Sequence, residues 1–361
     1  MSEKVERSDG RGILSGAFLN EDRDINRDDW IRDCFPEWGT LLNKEIEDTK
    51  VQKGTVSLWW LGGPSFAMKT ADDHVFLIDS YAGPSIYTTY DYCGVCRTGG
   101  SPTLNWLRLG PQMLDIWAFK KLDAVFCSHH HQDHCDVYTI KAALKTTDAK
   151  FIGPKITTDK FRKFQVPENR ISMVKPGDSI KYGKTEIQML INYDTMAAMT
   201  GAKKAGENQK LEDVAVSFLF KTEGGNILFL ADTLYSNGYA EFGQKYQIDI
   251  ACMNMGYAPP GATDKMSPYD AMRVAQAVKA KVVIPYHYDN WANSQEDPAI
   301  LEWLIQKKGL NMKSVILKPG ARFTYPNDQN IGRYKYPDYA ETYRADYSWE
   351  YGKPAKGEKC E

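Results

Sequence analysis

Residues 126–136 read FCSHHHQDHCD and hold four of the six histidines of a 361-residue chain. His129, His130, His131 and His134 surround Asp133. The apolar run DAVFCS before them reads as a buried strand, and VYTIKAALK after them has helical spacing. In extended backbone, side chains at i and i+2 share a face. His129 and His131 can therefore grip one ion, while Asp133 and His134, at the turn into the helix, face a second position. His130 points the other way and reads as packing. Imidazole and carboxylate together suit zinc, manganese or iron. Packing alone does not gather such residues on one face beside an Asp-His pair, so the stretch reads as a metal-binding loop between a strand and a helix.

One loop does not fill two ligand shells, so other strand ends have to supply the rest. NILFLAD ends a strand at Asp232, a candidate bridging carboxylate whose plainer reading is a turn-capping Asp. KVVIPYH ends a strand at His287, and Asp289, two residues on, is placed to orient that ring. HVFLIDS carries Asp79, read as a support for the histidine loop. His74, in the turn ADDHV, reads as a surface residue.

The rest of the chain reads as a soluble globular protein. Net charge is −2, with 42% hydrophobic and 25% charged residues. That allows a sizeable core and gives no electrostatic case for nucleic acid or an anionic membrane as partner. No apolar run is long enough to span a bilayer. The opening MSEKVERSDGRG has no apolar core and does not read as a secretory leader, so a cytoplasmic location is expected. Seven scattered cysteines are an odd number and read as reduced thiols. Cys93 and Cys96 form a CxxC with no second pair of ligands nearby.

Residues 1–26 are expected to be a loose polar segment, and 27–361 a single domain. Short β-type runs start at Thr55. Residues 81–113, rich in Gly, Tyr, Pro and Thr, read as a long loop over the pocket, with Tyr81, Tyr87, Tyr90 and Tyr92 on it. Strands and helices then alternate, with a hairpin at Glu223-Gly224-Gly225 and a helix capped by Ser267. Two β-rich halves, each closed by helices, predict a four-layer α/β/β/α sandwich.

The pattern His129-x-His131-x-Asp133-His134, then Asp232 and His287, after a strand ending in Asp79, resembles the metallo-β-lactamase superfamily. The segments FPEWGTLLNKEIE, LRLGPQMLD, VKPGDSI, DTLYSN, TDKM and KVVIPYHYDNW resemble the bacterial L-ascorbate-6-phosphate lactonases. That resemblance implies a sandwich of the metallo-β-lactamase type and a cytoplasmic, manganese-dependent hydrolase that opens a sugar lactone. It also implies a homo-oligomer. The chain departs from the superfamily at one ligand. INYDTMAAMTG stands where a further histidine is usual, and Asp194 holds a place where the lactonases also carry an aspartate. As a ligand, Asp194 adds an oxygen and favours Mn²⁺ over Zn²⁺, with one or two ions bound. The chain also departs from the lactonases, with Thr195 and Pro260 in place of arginines. Arg108 and Lys265 are left as candidate substrate cations, so the metal chemistry carries over more fully than the phosphorylated substrate.

The expected chemistry is attack of a metal-bound hydroxide on the lactone carbonyl. Lys265 or a second ion would stabilise the oxyanion, and Asp133 or a bound water would protonate the leaving group. Phosphodiester cleavage on the same fold is the alternative. A metal-dependent sensor is the non-enzyme reading.

Overall fold

Strand β1 (Val56–Trp60) shows how the layers arise. Val56, Leu58 and Trp60 face one apolar layer and Trp59 faces another, as the two-residue period of a strand requires. All five residues are buried, so the sheet is covered on both faces. The computed structural model describes residues 25–33, 36, 39–83, 108–201, 208–257, 264–291 and 294–338.

In the first sheet β2 (Phe66–Thr70), β3 (Val75–Ile78), β4 (Ala124–Phe126), β5 (Lys150–Gly153) and β6 (Ile171–Met173) follow β1 in spatial order, and β14 (Arg322–Tyr325) lies on the far side of β1. Pairing is antiparallel from β14 to β3 and parallel from β3 to β6. The second sheet runs β7 (Ser179–Tyr182), β8 (Thr185–Ile191), β9 (Val216–Thr222), β10 (Gly225–Phe229), β11 (Ile250–Asn254), β12 (Val282–Tyr286), β13 (Lys313–Ser314). It is antiparallel as far as β10 and parallel beyond. The two sheets thus share one plan, although the sequence shows no matching repeat.

Three apolar layers hold the sheets and helices together. Between the sheets, Phe66, Phe76, Phe126, Phe218, Phe220 and Phe229 interlock. Phe126 and Phe220 meet edge to face at 5.1 Å, and Phe66 and Phe229 at 5.2 Å. Outside the first sheet, Trp59, Leu77, Val125 and Phe151 meet Leu42, Ile46, Ile140 and Phe161 from the helices Leu41–Asp48, Val137–Thr146 and Lys155–Lys163. Outside the second, Leu219, Leu228, Ala251 and Val283 meet Phe242, Val274 and Leu301 from the helices Tyr239–Lys245, Pro268–Ala277 and Pro298–Lys307. The result is the four-layer α/β/β/α sandwich.

The β9–β10 hairpin turns where the sequence places it. Gly225 has φ +149°, and a Cβ on Gly224 would lie 2.3 Å from the backbone of Thr55, so neither position accepts a side chain. Ile25, counted with the polar leader on sequence grounds, is fully buried, and Lys145 Nζ donates to its carbonyl. Of the long loop, 84–107 lie outside the described residues, and with them Tyr87, Tyr90, Tyr92, Cys93 and Cys96. Among the described residues no helix is long and apolar enough to cross a membrane.

Candidate metal centre

The histidine loop leaves the end of β4 and is clamped from several sides. Asp79, just past β3, accepts from Ser128 N and from Ser128 Oγ, both at 2.7 Å. The same carboxylate meets His134 Nδ1 at 2.9 Å, which turns Nε2 of that ring inward. Asp136 caps the helix Val137–Thr146 by accepting from Thr139 N. On the outer side, Lys160 Nζ donates to the carbonyl of His130 at 2.6 Å. Asp79, Ala231 and His287 all have positive φ, at +46°, +60° and +69°. Left-handed backbone at non-glycine residues is costly and collects at functional sites. Three of the seven such residues among those described fall here, at the ends of β3, β10 and β12.

The expected ligands come together. His129 Nε2 lies 3.0 Å from His131 Nδ1 and 3.7 Å from Asp194 Oδ2. His287 Nε2 lies 3.1 Å from both His134 Nε2 and Asp133 Oδ2. Asp232 stands between these groups, 3.3 Å from His134 Nε2 and 3.4 Å from His287 Nε2. The ligand atoms of His129, His131 and Asp194 lie within 4.8 Å of one another, as do those of Asp133, His134 and His287 and those of His129, His134 and Asp232. All seven side chains are buried. Asp194 Oδ2 and Asp232 Oδ1 have no hydrogen-bond partner. Buried carboxylate oxygens are normally satisfied, and two orphans facing convergent imidazole nitrogens fit a divalent cation.

Burial and neighbouring charges shift the candidate ligands in both directions. Burial, with the neighbouring imidazoles, pushes the pKa of His129 and His131 well down, so both stay neutral, the form that ligates. Burial acts against a charge on His134, but Asp232, Asp133 and Asp79 outweigh it and raise its pKa. Asp133 and Asp232 are lowered despite burial, by His134 and His287 and, above all for Asp232, by Lys265. Asp194 is pushed up, by burial first and then by Asp264 and Asp232.

The other expected site residues divide. Lys265 is buried, pairs with Asp232 and lies 3.0 Å from His287 Nε2. Arg108 is engaged by the loop backbone. Its guanidinium donates to the carbonyls of Tyr81, Gly83, Gly110 and Pro111 and so ties together the two ends of the long loop. Asp289 takes Gly63 N at 3.1 Å, and His287 Nδ1 has no hydrogen-bond partner. The ring is placed instead through its backbone, with His287 N donating to Gly63 O. Gly63 is required there, with φ +52° and space for a Cβ only 2.9 Å from Asn290 Oδ1. His74 is partly buried rather than on the surface, because its Nδ1 meets Asp123 at 3.0 Å and its ring stacks on Phe76.

Two site residues were not among the expectations. Asp264 forms a further cluster with His131 and Asp232. Its only sequence signal was an acid next to Lys265. Thr200 Oγ1 lies 2.7 Å from His131 Nε2 and 3.2 Å from His130 Nε2. Nothing in the spacing of a lone threonine could announce that contact.

Residues 57–287 match the family model described as a beta-lactamase superfamily domain. The chain is 37% identical over 338 residues to "Probable L-ascorbate-6-phosphate lactonase UlaG" of Shigella flexneri, covering 88% of this chain and 95% of that protein. The protein of the same name from Escherichia coli O9:H4 gives the same figures. Among solved structures, an isothiocyanate hydrolase from Delia radicum gut bacteria superposes with TM-score 0.58 at 18% identity, over 74% of this chain and 98% of that one. Igni18, a metallo hydrolase from Ignicoccus hospitalis, gives TM-score 0.54 at 18% identity, over 75% and 98%. These two likenesses show the fold. The sequence matches, at this identity and coverage, show more: the chain belongs to the beta-lactamase superfamily and, within it, to the lactonase family of its UlaG relatives, as a metal-dependent, lactonase-like hydrolase.

Proposed function

We propose that this enzyme opens a small sugar-type lactone, with L-ascorbate 6-phosphate as the lead substrate. His129, His131 and Asp194 would hold one divalent ion, Asp133, His134 and His287 a second, with Asp232 between them. The observation that carries this reading is the convergence of seven buried ligand side chains into adjoining clusters, with two carboxylate oxygens left unpaired. A divalent ion there supplies Lewis acidity and lowers the pKa of water to a useful range.

The chain's own residues do the rest. Asp79 fixes the tautomer of His134, and Asp232 separates the clusters. Asp194 supplies oxygen where the superfamily usually has imidazole, which favours Mn²⁺ over Zn²⁺. Lys265, held charged by Asp232, Asp264 and Asp133 against the cost of burial, sets a positive charge beside the second cluster, where a developing oxyanion would be stabilised. Asp133 Oδ2 points between His134 and His287, a geometry that supports a ligand role over that of proton donor. Arg108 is committed to the loop, so the described residues support the lactone ring better than its phosphate. A homo-oligomer in the cytoplasm completes the proposal, on the strength of the family resemblance.

The test is a kinetic panel of phosphorylated and plain lactones and a chromogenic phosphodiester, each with Mn²⁺ and with Zn²⁺. Lactone turnover, faster with Mn²⁺, is expected. Turnover of the phosphodiester alone would overturn the lactonase reading in favour of a phosphodiesterase. Plain lactones outrunning the phosphorylated one would remove L-ascorbate 6-phosphate as the lead.

A further inference from the structure

The short helix Thr195–Thr200 follows β8 and packs its last residue against the histidine loop. Thr200 is that residue. Its hydroxyl has one proton and two lone pairs. Oγ1 lies 2.9 Å from the carbonyl of Met196, and a carbonyl only accepts, so the single proton goes there. The lone pairs are left to face two imidazole nitrogens, His131 Nε2 at 2.7 Å and His130 Nε2 at 3.2 Å. A lone pair can only accept, so His131 has to bring its proton on Nε2. In a neutral imidazole the other nitrogen is then bare. That nitrogen, Nδ1, is the one 3.0 Å from His129 Nε2 in the cluster with Asp194.

The geometry points to Thr200 as a positioning residue that fixes the tautomer of His131, so that this ring offers Nδ1 to the metal. This rests on the metal-centre reading above and deepens it. His129 cannot be set the same way, because its Nδ1 faces Ser128 Oγ at 3.0 Å and its Nε2 faces the cluster. Two neighbouring ligand histidines thus turn opposite nitrogens inward, and a threonine on the helix that follows β8 is what sets the second. It also gives His130 a place. Its ring shares the hydroxyl of Thr200 and stays outside the ligand set, with its carbonyl held by Lys160.

Partners of metal-bound histidines change affinity by roughly 10–100-fold when removed. Thr200→Val keeps the branched shape and removes the acceptor, while Thr200→Ser keeps the acceptor. Affinity for Mn²⁺ and Zn²⁺ is measured by competition with a chromogenic chelator. The expected result is a 10–100-fold weaker site in T200V and near wild-type affinity in T200S. Equal affinity in all three proteins overturns the inference and leaves the metal centre standing. A wild type that binds neither ion overturns the metal centre itself. T200S as weak as T200V would show that packing, not the hydroxyl, is at work, and also overturns it. A second readout needs no variant. Long-range ¹H–¹⁵N correlation on the metal-free wild type should show His131 protonated on Nε2, and protonation on Nδ1 would be fatal to the idea.

Discussion

Asp194 puts its two oxygens to separate uses. Oδ1 accepts from Ala197 N at 2.8 Å and caps the helix that carries Thr200, while Oδ2 faces His129 with no partner. Asp194→Asn keeps a cap acceptor and loses the ligand charge. We expect metal affinity to fall at least tenfold, by chelator competition, with the melting temperature of metal-free protein nearly unchanged. Asp194→Ala should also lose the cap, at about 1 kcal/mol. His131→Ala should abolish turnover and bound metal at its cluster while leaving the fold intact. His130→Ala should be much milder, since its ring lies outside every ligand cluster. Metal content and turnover that fell equally in both would refute the assignment of faces. At this scale the sequence was most legible in the HHHQDH run, where one strand end carries four candidate ligands. It was least legible for Asp264 and Thr200, single common residues that acquire a role only through what folds against them. Arg108 and Asp289 were legible only as charges near the site, and their contacts with the loop backbone were not.

At the scale of elements, the loop depends on the strand beside it. Gly153 ends β5, and a Cβ there would lie 2.7 Å from Thr157 Cγ2 and 2.9 Å from the carbonyl of Cys127. That carbonyl belongs to the backbone leading into the histidines and cannot give way freely. Gly153→Ala should therefore cost about 1–3 kcal/mol and lower the denaturation midpoint in urea, with weaker metal binding as a second symptom. An unchanged midpoint would mean that the loop is softer than its clamps imply. The long buried strands were readable as apolar runs. The strands β7 and β13 were not, because at four and two residues they give alternation little room to stand out. The helix Thr195–Thr200 has only six residues, too few to show a helical period, and it is held by its Asp194 cap and by packing.

At the scale of the whole molecule, the three apolar layers do not run through the ion site. Chelation should leave a cooperatively folding protein with native circular dichroism, and Mn²⁺ should stabilise it through linkage by about 2.7 kcal/mol at a hundredfold excess over Kd, read as a higher melting temperature. Loss of structure on chelation would show that the ions hold the sandwich together. Acid stability has a separate source at the opposite, amino end of β10, β11 and β12. Burial raises the pKa of Asp249, but Lys281 Nζ at 2.7 Å and Asn226 N at 2.8 Å outweigh it, and the net shift is downward. A folded pKa below the unfolded value of about 3.9 means full stabilisation above that value, lost as pH falls through the folded one. Asp249→Asn should lower stability at neutral pH and make the loss between about pH 5 and pH 3 shallower, by urea titration at each pH.

The sequence by itself determined the layer order and the ligand-bearing strand ends, because side-chain alternation and the spacing of His129, His131, Asp133 and His134 are properties of the local chain. It also placed the chain in its family. The tertiary structure decided which candidate ligands stand close together, because Asp194, Asp232 and His287 reach the histidine loop from the other sheet. The same is true of Lys265, Asp264 and Thr200. Their roles depend on distances across the inter-sheet layer, and no stretch of sequence carries a distance between residues that only the packing of two sheets brings together.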